Sequence, residues 1–273
     1  MALHATTTMR FEARSPPAFA DSTVSERRTR PVLGVPIDTL SMDDAVQRIA
    51  RWAQRRESRV VCICNVHSVV TATRDVEFQA ALLRADLATP DGAPVAWMLR
   101  RQGAHGQKRV SGPDLMEAYC AEAARSGEAI FLLGSTQATL RALSTGLRQR
   151  FPSLHIAGMH APPFRALSDE EDAELVQRIN ASDASTVWVS LGCPKQERWM
   201  AEHRGSVQAV MVGVGAAFAF HAGTVSRAPR WMRDRGLEWA HRLASEPRRL
   251  GRRYLVTNSL FVLAVARQWL PWR

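Results

Sequence analysis

Residues 59–70 read RVVCICNVHSVV, in which a short apolar run is followed at once by a polar residue, Asn65. An apolar run without polar alternation is typical of a strand covered on both faces, as in a parallel sheet. Similar runs recur as AIFLLG at 129–134, TVWVSLG at 186–192 and AVMVGVG at 209–215. Helical patterns separate them. The sequence therefore predicts an α/β fold with a mainly parallel, Rossmann-like sheet and helices on both faces.

Polar side chains follow several of these strands, at the end where ligands bind in open parallel sheets. Asn65, Asp91 and Gln196 each come after an apolar run or the tight turn that ends it. Arg109 stands just before a predicted helix, where it could meet a phosphate or a carboxylate. Each also has an ordinary explanation: Asp91 as a helix cap, Arg109 as a solvated charge, Gln196 as part of a polar helical turn. We expect these side chains to meet at one edge of the sheet.

Two further positions allow two interpretations. The sequence GST at 134–136 opens a predicted helix, and it could either bind an anion or supply an ordinary Ser or Thr cap. His67 is interpreted as a satisfied histidine at a strand edge rather than as a base or a ligand.

The C-terminal residues 227–273 carry most of the chain's net charge. They contain 11 Arg and no Lys against three acidic residues, a net of +8 out of +10 for the whole chain. Guanidinium groups bind phosphate bidentately. We expect a helix break at Pro247 and then one helix through the apolar stretch at 255–266, with Trp269 and Trp272 behind it. This stretch is shorter than the roughly 20 residues that span a bilayer, so the pattern predicts a helical appendage that meets phosphate at a membrane surface.

The rest of the chain divides into two parts. Residues 1–30 are rich in Ala, Thr, Ser, Pro and Arg and are predicted to be disordered, whereas 31–226 are predicted to form the α/β core, beginning with a strand over 32–37. The four Cys lack zinc spacing, and no D-x-D or carboxylate cluster indicates a metal ion. GVGAA at 213–217 lacks the third Gly of a dinucleotide fingerprint, which argues against NAD. We expect neither a metal nor a cofactor.

Taken together, the short motifs form a more specific series than any of them alone. The blocks with the most specific order and spacing are PDG at 90–92, PKQE at 194–197, RAP at 227–229, GLEW at 236–239 and EPRR at 246–249. On these blocks, residues 32–255 resemble the WecG/TagA/CpsF glycosyltransferases. The resemblance implies an inverting, metal-independent enzyme that moves a sugar from a UDP-sugar to a polyprenyl-diphosphate-linked sugar. Such enzymes act peripherally on the cytoplasmic face of the bacterial inner membrane, here in exopolysaccharide synthesis.

The resemblance also assigns roles to residues. Asp91 falls on the catalytic carboxylate. The substrate-binding polar positions of the active site are Asn65, Arg109 and Gln196. The arginines of the appendage that would meet the donor diphosphate are Arg242, Arg249 and Arg252. Two positions depart from the family pattern, because Ile63 replaces a usual Thr and Ala219 an Asp that is often present.

Two other classes of function stay open on the sequence alone. The Arg-rich end could bind nucleic acid, although this explains neither the terminal Trp residues nor the polar groups at the strand ends. The chain could also be a non-catalytic, membrane-associated module that binds a nucleotide sugar. The partners we expect are a UDP-sugar donor, a lipid-linked acceptor and a membrane surface, without nucleic acid; self-association is compatible with such a tail.

Overall fold

The computed structural model describes residues 27–269, so most of the predicted disordered segment and Trp272 lie outside the described residues. The strands are β1 (Thr29–Val32), β2 (Val35–Asp38), β3 (Arg59–Cys64), β4 (Leu87–Pro90), β5 (Ala129–Gly134), β6 (His155–His160), β7 (Thr186–Ser190) and β8 (Val210–Gly213). The helices are α1 (Met42–Gln54), α2 (Val66–Ala72), α3 (Val76–Leu83), α4 (Ala93–Arg101), α5 (Gly112–Ser126), α6 (Gln137–Arg150), α7 (Asp169–Ala181), α8 (Lys195–Glu202), α9 (Ala217–His221), α10 (Arg230–Asp234), α11 (Glu238–Ser245) and α12 (Pro247–Trp269).

Six strands form one sheet in the order β4-β3-β8-β7-β5-β6, and every neighbouring pair is parallel. Within β3, Cys62 and Cys64 enter one hydrophobic cluster, and Val61 and Ile63 enter the other. Helices α2, α3, α4, α7 and α8 pack on the first cluster, and α1, α5, α6 and α9 on the second. Burial on both faces explains the unbroken apolar runs, and the α/β prediction is confirmed.

The first strands differ from the prediction. β1 and β2 form an antiparallel hairpin, whereas the sequence predicted one strand over 32–37. The chain reverses at Leu33 and Gly34, whose φ angles are 50° and 84°. Two successive residues with positive φ are typical of a tight hairpin turn. The hairpin is anchored to the main sheet by the buried Asp38, which accepts a hydrogen bond from the backbone N–H of Ala88 at 2.7 Å.

The C-terminal helices follow the predicted course. α11 ends just before Pro247, a residue that suits the first turn of a new helix. From there α12 continues for 23 residues through the predicted apolar stretch. It packs on α2 and buries Leu250 and Phe261, while Leu255 and Val262 are 72% and 64% exposed. Across residues 27–269, none of the helices combines the length and the apolar character needed to cross a membrane.

Candidate active site

A cavity of about 790 Å³ lies at the carboxyl edge of the sheet. Residues that follow β3, β4, β7 and β8 line one side, and residues of α11 and α12 line the other. The predicted site residues that line this cavity are Asn65, Asp91, Arg109, Gln196 and Arg242. The structure thus brings five separate stretches of the sequence together where ligands bind in folds of this type.

Asp91 is held at this edge by the backbone. Its N–H donates to the carbonyl oxygen of Cys64 at 2.9 Å, which ties the end of β4 to the end of β3. The N-cap position of α4 is Gly92, with φ of 80°, and no side chain caps this helix. Asp91 is therefore not the helix cap of the alternative interpretation, and its carboxylate is available to the cavity.

The surroundings of Asp91 make it a stronger base than an ordinary aspartate. Burial raises its pKa to about 6, and the negative charge of Glu238 acts in the same direction. The positive charges of Arg109 and Arg242 and a hydrogen bond from Asn65 favour the charged form and oppose this rise in pKa. With a pKa near 6, the carboxylate is ionised at neutral pH and close enough in basicity to accept a proton from a bound hydroxyl.

Asn65 connects this carboxylate to α2. Its Oδ1 accepts a hydrogen bond from the backbone N–H of Ser68 at 3.2 Å, so Asn65 is the N-terminal cap of the helix. Because the oxygen is used in the cap, the amide NH₂ is the end of the side chain that donates to Asp91. Asn65 therefore fixes the orientation of the Asp91 carboxylate.

Arg109 is not a solvated surface charge. Its side chain is 19% exposed and lies between two carboxylates, with Glu238 at 3.2 Å and Asp114 at 3.4 Å. Asp114 also pairs with Arg227 at 2.8 Å and with Arg233 at 3.2 Å. We call these five side chains the charge cluster. It joins the α/β core to the chain that follows residue 226.

Gln196 is buried and already hydrogen-bonded within the protein. Its Nε2 donates to Glu197 at 2.8 Å, and its Oε1 accepts from the backbone N–H of Gly215 at 3.1 Å. Only one N–H of the amide therefore remains for a substrate. Burial raises the pKa of Glu197 to about 7. No specific signal in the sequence indicates this carboxyl group, which lies within a polar helical turn.

Arg242 and Arg253 bring positive charge to the side of the cavity formed by α11 and α12. The Nε atom of each is buried without a hydrogen-bond partner. An unpartnered buried guanidinium N–H is costly, and an anion in the cavity would satisfy it. Among residues 27–269, no three His, Cys, Asp or Glu side chains are grouped so that they could hold a metal ion. The cavity that these residues form is thus suited to an anionic ligand.

The other two predicted arginines of α12 are placed differently. Arg252 is exposed and does not line the cavity, whereas its neighbour Arg253 does. The side chain of Arg249 lies outside the part of the chain that the structure describes. The resemblance assigned Arg252, whereas the spacing from Arg249 allowed either Arg252 or Arg253, because adjacent arginines carry the same signal in the sequence and only the rotation of the helix distinguishes them.

The two ambiguous positions are now located. Thr136 caps α6 by accepting from the backbone N–H of Thr139 at 3.2 Å, as the ordinary interpretation has it, while Ser135 lines the cavity. His67 lies in α2 rather than at a strand edge, and it also lines the cavity. Burial lowers the pKa of His67, and the charge of Arg253 lowers it further. His67 therefore favours the neutral form.

Both departures from the family pattern lie on the cavity. Ile63 is at the end of β3 and Ala219 is in α9, and each offers an apolar surface where a polar side chain is usual. The two residues therefore make these parts of the cavity wall apolar.

The comparison with known proteins identifies one family. The sequence model of the glycosyl transferase WecG/TagA/CpsF family matches residues 30–273. The match includes the α/β core and the C-terminal helices that line the cavity. Because it extends over most of the chain, the chain belongs to the WecG/TagA/CpsF family and is a glycosyltransferase of cell-surface polysaccharide synthesis.

Proposed function

We propose that this glycosyltransferase transfers a sugar, with inversion and without a metal ion, from a UDP-sugar to a polyprenyl-diphosphate-linked sugar in exopolysaccharide synthesis. The observation that carries the proposal is that one cavity contains both a basic carboxylate and positively charged groups. Asp91 offers a carboxylate of raised pKa, and Arg242 and Arg253 offer buried N–H groups without partners. The first suits removal of a proton, and the second suits a diphosphate.

The proposed reaction is a single displacement. The acceptor hydroxyl loses its proton to Asp91 as its oxygen forms a bond to the anomeric carbon of the donor. The bond from that carbon to the diphosphate oxygen breaks on the opposite face, and UDP leaves with the electron pair. Because negative charge then grows on the diphosphate, Arg242 and Arg253 stabilise the transition state more than the bound donor.

The apolar surface of α12 supports a peripheral position on the membrane. Exposed side chains on this helix are Leu255, Val256, Val262 and Leu263. The exposed Trp231 and Trp239 lie in the same part of the chain, and Trp is favoured at membrane interfaces. We propose that these residues contact the cytoplasmic face of the inner membrane, which presents the lipid-linked acceptor to the cavity.

A donor screen tests the proposed function. Purified protein is mixed with single UDP-sugars and a synthetic lipid-diphosphate-sugar acceptor, and the release of UDP is measured with and without EDTA. We expect one donor to give acceptor-dependent release that EDTA leaves unchanged, because arginines supply the positive charge. Strict dependence on added Mg²⁺ or Mn²⁺ would contradict the metal-independent mechanism. DNA binding with steep salt dependence, without UDP binding, would favour the nucleic-acid alternative.

The adjacent arginines of α12 provide a matched pair of variants. Arg253→Gln should lower kcat/KM for the donor by about 10- to 100-fold, because it removes a charge-assisted hydrogen bond to the diphosphate. Arg252→Gln removes the same charge from an exposed position and should change kcat/KM by less than about threefold. Initial rates with a water-soluble, short-chain acceptor measure this without any effect of membrane binding. Equal losses in both variants would contradict the assignment of Arg253.

A further inference from the structure

Glu238 joins two parts of the chain beside the cavity. It is the first residue of α11, it lines the cavity, and its side chain is 19% exposed. One carboxylate oxygen lies 3.2 Å from Arg109, which precedes α5 in the core. The other lies 3.5 Å from Arg227, which belongs to the C-terminal segment, defined here as residues 227–269. Glu238 therefore meets the arginine of the core only when this segment is docked.

The close approach of the two parts is built into the backbone. Gly236 has φ of 73°, and a Cβ at this position would come within 2.6 Å of the Cβ of Ala93. Ala93 is the first residue of α4 and follows Asp91 by two positions. A side chain at 236 would push the segment away from this point. The absence of a side chain lets Glu238 come near Asp91.

Arg109 is held by two carboxylates other than Asp91. One guanidinium nitrogen faces Glu238 and another faces Asp114 at 3.4 Å. Asp114 is also shared with Arg227 and Arg233 of the C-terminal segment. Arg109 already lowers the pKa of Asp91 through its charge, and an aspartate paired directly with an arginine is a weak base.

Charged and polar groups from several elements surround Asp91. They are Glu238 and Arg242 from α11, Arg109 from the loop before α5, and the polar Asn65 from the start of α2. The other His, acidic and Arg side chains that line the same cavity are His67, Glu197, Arg233, Glu246 and Arg253. Burial and Glu238 raise the pKa of Asp91, whereas Arg109, Asn65 and Arg242 lower it. Glu238 is thus the acidic neighbour that offsets the arginines.

We propose that Glu238 is a positioning residue of the reaction, which holds Arg109 in an ion pair beside the cavity and so limits the pairing of Arg109 with Asp91. The inference rests on the proposed function, in which Asp91 accepts the proton.

The test is the pH profile of kcat/KM for Glu238→Gln. Loss of the negative charge should lower the pKa of Asp91, so the acid limb of the profile should move to lower pH by about one unit. The rate at pH 8 should fall, because a base of lower pKa accepts the proton less readily. A role in packing alone would lower the rate without moving the limb.

Two further variants serve as controls. Asp234→Asn removes the same charge from an exposed position in the C-terminal segment and should leave the limb in place. Glu238→Asp keeps the charge, and its limb should stay near that of the wild type. The inference is overturned if the acid limb of the pH profile stays in place in Glu238→Gln while the unfolding midpoint is unchanged. It is also overturned if the acid limb shifts equally in Asp234→Asn or in Glu238→Asp. If the wild type itself transfers no sugar at any pH, the proposed function fails instead.

Discussion

Asp91→Asn should reduce kcat by about 10²- to 10⁴-fold, the usual contribution of a general base, while the affinity for UDP stays within about threefold of the wild type. Asparagine has the shape of aspartate but accepts no proton at neutral pH. The fold should tolerate it, because Asp91 caps no helix and its backbone hydrogen bond to Cys64 is retained. Single-turnover rates and calorimetric titration with UDP separate the two effects.

The wild-type pH profile gives a second readout of the same residue. The base must be ionised to act, so kcat/KM should fall as the pH drops through about 6, the raised pKa of Asp91. The residual activity of Asp91→Asn should not show this fall in kcat/KM near pH 6. Asp183→Asn is a suitable control, since Asp183 is 91% exposed and precedes β7, at the opposite edge of the sheet from the cavity. Unchanged turnover in Asp91→Asn would show that another group takes the proton.

The sheet could be predicted because its signal is strong and local. Each central strand is an unbroken apolar run, and both faces of the sheet are buried, so sequence and environment agree. The first hairpin could not be predicted in the same way. Two successive positive φ angles are usually predicted from Asn or Asp followed by Gly, but this turn has Leu33 at the first position. The residues on both sides of the turn are also apolar, so the sequence pattern shows no break between the two strands.

The site residues that follow strand ends could be predicted from the sequence. Asn65 and Asp91 follow neighbouring parallel strands, β3 and β4, and the topology brings such positions together. The α12 residues were harder, because apolar side chains occur all round this helix. Leu250 and Phe261 turn out to face the core, and this rotation turns Arg253 towards the cavity and Arg252 towards solvent.

Glu238 illustrates what a sequence alone does not supply. The sequence placed it in the GLEW block and among three acidic residues of a basic segment but gave it no role, and its importance comes from Arg109, which is 129 positions away in the chain. An ion pair of this kind depends on how the C-terminal segment docks against the core. Neither spacing nor periodicity contains that information, since both describe neighbours along the chain.

Removal of the chain from Gly236 onward should abolish sugar transfer and leave the α/β core folded. The two hydrophobic clusters are built almost wholly from residues before 219, with Phe261 as the exception, so circular dichroism should still show a cooperative unfolding transition. Transfer should be lost because the cavity loses Glu238, Arg242 and Arg253 together. The affinity for UDP should fall as well, since the arginines that would meet the diphosphate are gone.

The truncation also removes the exposed apolar side chains of α12. A second variant must therefore distinguish the loss of membrane binding from the loss of the cavity residues. The full-length variant Leu255→Asp/Leu263→Asp changes two exposed side chains that do not line the cavity, and it leaves the cavity arginines in place. It should lose flotation with anionic phospholipid vesicles yet retain transfer to a water-soluble, short-chain acceptor. If docking and closure are one event on the membrane, its activity on a lipid-embedded acceptor should fall in proportion to the lost flotation. Full transfer by the truncated chain would refute the role of α11 and α12 in the site, because the core alone would then supply every group that the reaction needs.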